Sequence, residues 1–236
     1  MIINQRILKK YFQVSKEGDY FRLKYNRSIN TILINKNFKF DENVASLAGL
    51  MPDGSLIKDL MRIYFHQKKD IRKIYLFKNL LLKLFRPKNR IFIRNNRGSY
   101  YAYTNSQTLA MFFYKILKIP KSDEQMRVPK WIFDSPRKVK IAYLKQAYDM
   151  EGTIVKALCE IRFITKDHKF AMDINKLLAH VGIKSFVKER IGGTYNTLQY
   201  RVSIYKKENF QKFKEIGFSI KFNRNRFKQI IKKYNI

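Results

Sequence analysis

Gly54-Ser-Leu-Ile-Lys-Asp-Leu-Met-Arg-Ile-Tyr-Phe-His-Gln-Lys68 and Gly152-Thr-Ile-Val-Lys-Ala-Leu-Cys-Glu-Ile-Arg-Phe-Ile-Thr-Lys166 lie over each other without a gap when the chain is slid against itself by 98 residues. Six of the fifteen positions are identical, and Ser/Thr, Leu/Ile, Ile/Val and Met/Cys are close exchanges. One acid stands immediately before each block, Asp53 and Glu151. A repeat of this kind means one supersecondary unit used twice, so the fold is read unit by unit.

Working outward, each block follows a short helical pattern rich in small and apolar residues, Val44-Ala-Ser-Leu-Ala-Gly-Leu-Met51 and Ile141-Ala-Tyr-Leu-Lys-Gln-Ala-Tyr148. The glycine after each acid suits a left-handed helix cap. Alternation then predicts strands, with Ile63 and Phe65 matching Ile161 and Phe163 on one face. Amphipathic helices follow at 70–85 and 169–181. Paired strands come next, 89–95 with 99–104 around Asn96-Arg-Gly98, and 184–191 with 198–205 around Gly192-Gly-Thr194. Helices at 106–118 and 207–215 close the halves, with Gly217 as a stop and a basic helical tail at 222–234.

Each half thus reads α-β-β-α-β-β-α, an α+β fold. The domains divide as an N-terminal extension at 1–40, a first repeat at 41–118, a linker at 119–138 punctuated by Pro120, Pro129 and Pro136, and a second repeat with its basic helix at 139–236. The extension reads as a short basic helix and two strands, FRLKYN and TILIN, around Arg27-Ser-Ile-Asn30.

Composition agrees with a folded chain. Its 236 residues are 45% apolar and 15% aromatic with only 9 Gly and 5 Pro, which fills a core and excludes disorder and fibrous repeats. Fifty Lys+Arg against 18 Asp+Glu give a net charge of +32, which calls for a polyanion, nucleic acid before a membrane surface. The most apolar stretch, 74–85, is broken by Lys78 and Lys83, so no bilayer span is expected. MIINQRILKKYF at the start lacks a secretory pattern, and the reading is intracellular. The single cysteine, Cys159, reads as a buried structural thiol in a strand.

Two copies of one unit, each ending its first helix in a carboxylate, suggest a pseudo-twofold pair whose helices bring Asp53 and Glu151 together. Ala48, Gly49 and Ala147 would let the backbones approach. In a chain with so few acids, two like charges at one repeat position need a compensating cation. Oxygen ligands of this number suit Mg²⁺, which keeps waters and takes one or two carboxylates plus substrate phosphate. Such a cation activates water and stabilises a leaving oxygen in phosphodiester hydrolysis.

Leu47-Ala-Gly-Leu-Met-Pro-Asp-Gly-Ser55 and Leu144-Lys-Gln-Ala-Tyr-Asp-Met-Glu-Gly-Thr153 resemble the two motifs of the single-chain LAGLIDADG homing endonucleases, and the resemblance runs from about residue 40 to 230. It implies a saddle of two antiparallel sheets with the motif helices packed at the interface. It also implies metal ligation by Asp53 and Glu151 with the backbone carbonyls of Pro52 and Met150, using Mg²⁺ or Mn²⁺. Gln67 and Lys68, with Thr165 and Lys166, match the family's residues that position water and offset charge. The first motif departs from the pattern, with Ala48 where the family has its first glycine and Pro52 in the last helical turn; Gln146 replaces the corresponding glycine in the second.

The resemblance further implies a monomer acting on double-stranded DNA, in a prokaryotic nucleoid or an organelle. Alternation nominates the DNA-facing residues: Arg62, Tyr64, His66, Arg90 and Arg94 in the first half, with Arg162, Lys188, Arg190 and Arg201 in the second. Tyr100, Tyr101 and Tyr103 on a basic sheet also suit stacking on unpaired bases, and some relatives are intron maturases, so a non-cutting regulator or RNA maturase is the alternative. High Ile, Lys, Asn, Phe and Tyr point to an AT-rich genome, and Met1 to a free-standing reading frame.

Overall fold

The computed structural model describes residues 3–26, 28–68, 70–192 and 197–236 and falls into two compact units, Met1–Glu124 and Gln125–Ile236. The first unit opens with helix α1 (Gln5–Lys9) and strands β1 (Gln13–Glu17), β2 (Tyr20–Lys24) and β3 (Thr31–Asn35), which pair in that order as an antiparallel sheet. The extension therefore has three strands where the sequence predicts two. The extra one, QVSKE, is an edge strand exposed at nearly every position, so it carries no alternation to detect. Part of the expected 27–30 turn, Arg27, lies outside the described residues.

The repeat follows as α2 (Glu42–Leu50), a single 3₁₀ turn (Met51–Asp53), β4 (Gly54–Leu56), β5 (Ile63–Gln67), α3 (Ile71–Phe85), β6 (Phe92–Asn96), β7 (Ser99–Thr104) and α4 (Gln107–Lys115). The second unit has a short α5 (Lys130–Phe133), then α6 (Arg137–Glu151), β8 (Gly152–Val155), β9 (Glu160–Thr165), α7 (His168–His180), β10 (Phe186–Gly192), β11 (Thr197–Ile204), α8 (Lys207–Phe213) and α9 (Lys221–Lys233). Each unit contains one α-β-β-α-β-β-α repeat, α2 to α4 in the first and α6 to α8 in the second. Their four-stranded antiparallel sheets share one strand order, β4-β5-β7-β6 and β8-β9-β11-β10.

Period-2 alternation buries one face of each sheet. Ile63, Phe65 and Ala102 are fully buried, and Phe65 stacks on Phe77 of α3 with centroids 5.1 Å apart. In the second unit Phe163 meets Phe170 of α7 at 5.5 Å and Tyr148 of α6 at 5.4 Å. The N-terminal extension belongs to the first core. Phe12 and Phe38 lie 6.1 and 5.6 Å from Phe112 of α4, and the Thr108 hydroxyl accepts from Tyr25 N and donates to Asn30 O.

Local signals explain the helix starts. Asp41 caps α2 by accepting from Asn43 N and Val44 N, and Ser106 caps α4 by accepting from Leu109 N. The hairpin at Asn96-Arg-Gly98 is tight, because Asn96 pairs with Ser99 and both intervening residues are left-handed, Arg97 at φ 49° and Gly98 at φ 77°. Gly217 is left-handed as expected of a helix stop, donating to Phe213 O at 2.8 Å. In the second hairpin's expected turn, Gly193 and Thr194 lie outside the described residues.

Two expectations need correction. The glycines after the acids are extended, Gly54 at φ −104° and Gly152 at φ −84°, and are not left-handed caps. Their missing side chain is what the backbone requires. A Cβ at Gly152 would stand 2.2 Å from the Tyr148 carbonyl oxygen, and one at Gly54 would stand 2.9 Å from Met51 Sδ. Cys159 is buried but lies in the turn before β9, not in a strand; its φ is 43° and Lys233 Nζ donates to its sulfur at 3.3 Å.

β4 and β8, the strands that leave the motif helices, are edge strands. Their outer backbone groups are covered differently in the two units. Ser122 N donates to Leu56 O at 2.8 Å beside β4. Beside β8, Asn223 Nδ2 donates to Gly152 O at 2.9 Å and Arg226 to Ile154 O at 3.0 Å, both from α9.

Gly152→Ala is expected to destabilise the second unit by about 3 kcal/mol, the upper range for forcing atoms into a packed site, read as a lower urea midpoint. Gly54→Ala should cost less, because the nearest atoms there are the far end of a flexible side chain, Met51, and at Gly152 a backbone carbonyl.

Candidate active site and nucleic-acid interface

Asp53 and Glu151 hold equivalent places, each the last residue before its edge strand. They are reached by different backbones. Pro52 lies in the 3₁₀ turn that carries Asp53, whereas α6 runs unbroken to Glu151. Both side chains are half-buried. Asp53 Oδ2 accepts from Gln67 Nε2 at 3.3 Å, which brings together an acid and an amide fourteen residues apart. Gln67 is buried at the end of β5.

Lys68 and Lys166 are both exposed one residue beyond their strands, so the repeat position is kept in the fold. Thr165 ends β9, and its Oγ1 accepts from Asp167 N at 3.2 Å. Pro52 lies in the 3₁₀ turn and Met150 in the last turn of α6, each one residue before its acid.

Asp149, two residues before Glu151, is fully buried and accepts from Ser219 N at 2.9 Å, from Ile220 N and from the Ser219 hydroxyl. This carboxylate ties the motif helix to the segment leading into α9. With Asn223 on Gly152 O, it braces the chain on both sides of Glu151.

Among the described residues no cluster of three or more His, Cys, Asp or Glu is gathered. A cation at either acid would therefore draw one or two carboxylates from the protein and the rest of its shell from water and phosphate oxygens. That donor set fits Mg²⁺ or Mn²⁺ and does not fit zinc, which takes closed nitrogen and sulfur cages.

The other sheet face carries the predicted nucleic-acid contacts. In the first unit strand pairing sets Tyr64 opposite Tyr103, and His66 and Arg94 opposite Tyr101. The guanidinia of Arg62 and Arg94 sit 5.3 and 5.5 Å from the Tyr103 ring, Arg90 sits 5.6 Å from Phe92, and Phe92 stacks on Tyr103 at 5.1 Å. Arg62 Nε also donates to Asn105 Oδ1 at 2.7 Å. His66 lies 4.8 Å from Tyr101, and its buried Nε2 has no hydrogen-bond partner among the described residues. An open groove of about 550 Å³ runs past Arg62, Tyr64, Arg94, Tyr101 and Tyr103. Tyr100 is not part of it; paired with Gln67 and Asn95, it faces the opposite side.

In the second unit Arg162, Lys188, Arg190 and Arg201 likewise share a face: Lys188 pairs with Arg201, Arg190 with Gln199 and Arg162 with Ser203. At its centre is a residue that the sequence reading passed over. Glu160 has no solvent exposure, and its carboxylate accepts from Arg162 Nε at 2.6 Å and from the Ser203 hydroxyl at 2.5 Å, with Arg201 Nε at 3.6 Å. The signal was present, since Glu160 and Arg162 are two apart on one strand and so share a face. Burial pushes the Glu160 carboxyl up, but hydrogen bonds from Arg162, Ser203 and Tyr205 outweigh it and hold it below its ordinary 4.5.

A folded pKa below the unfolded one gives stability that is fully present at neutral pH and lost as pH falls through the lowered value. Glu160→Gln should therefore unfold at lower urea than wild type near neutral pH. The gap should close on acidification, as pH falls through the lowered value and the wild-type carboxyl protonates.

A family model described as a LAGLIDADG-like domain matches residues 138–217. A replication factor C small subunit of Methanocaldococcus jannaschii is 28% identical over 207 residues, 86% of this chain and 11% of that protein. A probable translation initiation factor of the same organism is 27% identical over 116 residues, 48% of this chain and 10% of that protein. The chain thus spans about a tenth of the length of these relatives. Among solved structures, the homing endonuclease I-DmoI in complex with DNA and Mn shares the fold with a TM-score of 0.56 at 18% identity, over 75% of this chain and 97% of that one. Full-length DUF199/WhiA from Thermatoga maritima does so with a TM-score of 0.52 at 11% identity, over 84% and 62%. Residues 138–217 thus match the LAGLIDADG-like domain, and the chain shares the fold of I-DmoI.

Proposed function

We propose that the protein is a site-specific endonuclease that hydrolyses both strands of double-stranded DNA at a long, imperfectly symmetric target with a divalent metal. The observation that carries this reading is the recurrence of one half-buried carboxylate at the same helix-to-strand junction of both units, in a chain of net charge +32. The structural likeness to I-DmoI, which has been solved with DNA and Mn, supports it.

In this reading Asp53 with the carbonyl of Pro52, and Glu151 with the carbonyl of Met150, would hold the catalytic metals. The ion supplies Lewis-acid charge and a more acidic bound water. Gln67, hydrogen-bonded to Asp53, orients the acid and water near it; an amide cannot serve as a strong base. Lys68 and Lys166 offset the charge that builds on the phosphate, and Thr165 occupies the place of Gln67 in the second unit. Arg62, Tyr64, His66, Arg90 and Arg94 contact one half of the target, and Arg162, Lys188, Arg190 and Arg201 the other. Most of the remaining lysines and arginines grip phosphates and carry no sequence information.

A second reading is a DNA-binding protein on the same scaffold that does not cut, favoured by the fold shared with WhiA. The two part on one experiment, in which the purified protein is incubated with a randomised duplex library in Mg²⁺ and the cut ends are sequenced. Cleavage at one extended site is expected. It should stop with EDTA and fall by about a thousand-fold or more in Asp53→Asn and in Glu151→Gln, the scale of losing a charge-stabilising group. Both variants should still bind the site in Ca²⁺. Binding without cleavage under every metal tried would transfer the protein to the second reading.

A further inference from the structure

We propose that Glu160 is the specificity-determining positioning residue of the second sheet face: its buried carboxylate fixes Arg162, with Arg201 alongside, as a preset reader of guanine. This inference rests on the DNA-binding part of the reading above and is independent of cleavage.

A guanidinium has two edges that make paired hydrogen bonds, one formed by Nε with a terminal nitrogen and one by the two terminal nitrogens. Glu160 takes the first edge of Arg162, through Nε and Nη2 at 2.6 and 2.5 Å. The second edge, the one that matches O6 and N7 of guanine in the major groove, is not taken by Glu160. The Arg162 side chain keeps 14% of its surface exposed while Glu160 keeps none, as expected when the acid is the floor and the arginine head the contact.

The carboxylate is itself anchored. Ser203 donates to Oε1, and Ser203 stands opposite Arg162 in the strand ladder, so acid, arginine and hydroxyl form one unit across β9 and β11. Arg201 is held more loosely. Its buried Nε lies 3.6 Å from Oε1, beyond hydrogen-bond length, and has no hydrogen-bond partner among the described residues. That nitrogen gains a bond if the head shifts toward an incoming acceptor, which makes Arg201 the adjustable member of the pair. Fixing the arginines before DNA arrives lowers the entropy cost of the contact and keeps them off the phosphates, which any cation on a +32 chain would otherwise seek.

The test is a binding selection from randomised duplex DNA in Ca²⁺, comparing wild type with Glu160→Gln, Arg162→Ala and Ser203→Ala. Expected is a guanine preference in the wild type that falls about ten-fold or more in Arg162→Ala and in Glu160→Gln at the same base pair, other positions being unchanged. Glu160→Gln should also bind unrelated DNA more tightly, with a steeper salt dependence. Ser203→Ala, which loosens the acid without touching DNA, should weaken the same preference in part and carries the test if Glu160→Gln fails to fold. A preference unchanged in a folded Glu160→Gln, even at a lower melting temperature, would leave the acid a purely stabilising role and overturn the proposal. So would an Arg162→Ala that weakens all sequences equally. A wild type with no preference at any position would instead overturn the site-specific reading beneath it.

Discussion

In the second unit the chain leaves helix α6 so closely over its last turn that Gly152 has no room for a Cβ beside the Tyr148 carbonyl. That close approach sets everything downstream. It lets β8 start one residue after Glu151, so the carboxylate is held by a helix on one side and a strand on the other, with no loop between them. The first unit reaches the same end with Pro52 in a 3₁₀ turn, and its clearance at Gly54 is bounded by a methionine side chain instead of a carbonyl. Two local solutions to one junction indicate that the placement of the acid, and not the helix geometry leading to it, is what both halves retain.

The junction imposes a second constraint, because the strand that follows it lies at a sheet edge and exposes backbone groups on its outer side. In the first unit the segment after Pro120 covers β4 through Ser122. In the second, α9 covers β8 through Asn223 and Arg226, while Asp149 receives the chain that enters α9. The basic C-terminal helix is therefore part of the frame around Glu151 as well as a source of positive charge. A buried carboxylate bonded to two backbone N–H groups and a hydroxyl is costly to disrupt, which makes this brace rigid.

What could be read from the sequence was what local pattern encodes. The strand alternation, the amphipathic helices and the left-handed stop at Gly217 each depend on neighbours a few residues away, and the repeat shows as direct self-similarity of the sequence. The third N-terminal strand escaped because an edge strand with polar residues on both faces has no hydrophobic period. The role of Gly152 was misread because a sequence shows that a glycine is wanted without showing whether φ or the missing Cβ is the reason. Glu160 and Asp149 escaped for another reason. Their partners Ser203 and Ser219 lie 43 and 70 residues along the chain, and only strand register and helix docking bring them close.

Strand pairing also shows how far the two copies have diverged where they agree in backbone. Tyr64 and Arg162 hold one position, opposite Tyr103 and Ser203; Arg94 and Lys188 hold another, opposite Tyr101 and Arg201. Under the 98-residue offset the counterpart of Glu160 is Arg62. The first face thus steadies its arginines over an aromatic ring, and the second around a buried carboxylate. An aromatic floor holds a guanidinium by its face and takes no edge itself, whereas a carboxylate takes one edge. A homodimer could not separate them, since every substitution would appear in both halves; two units on one polypeptide can keep the acid at each junction and still change each face alone.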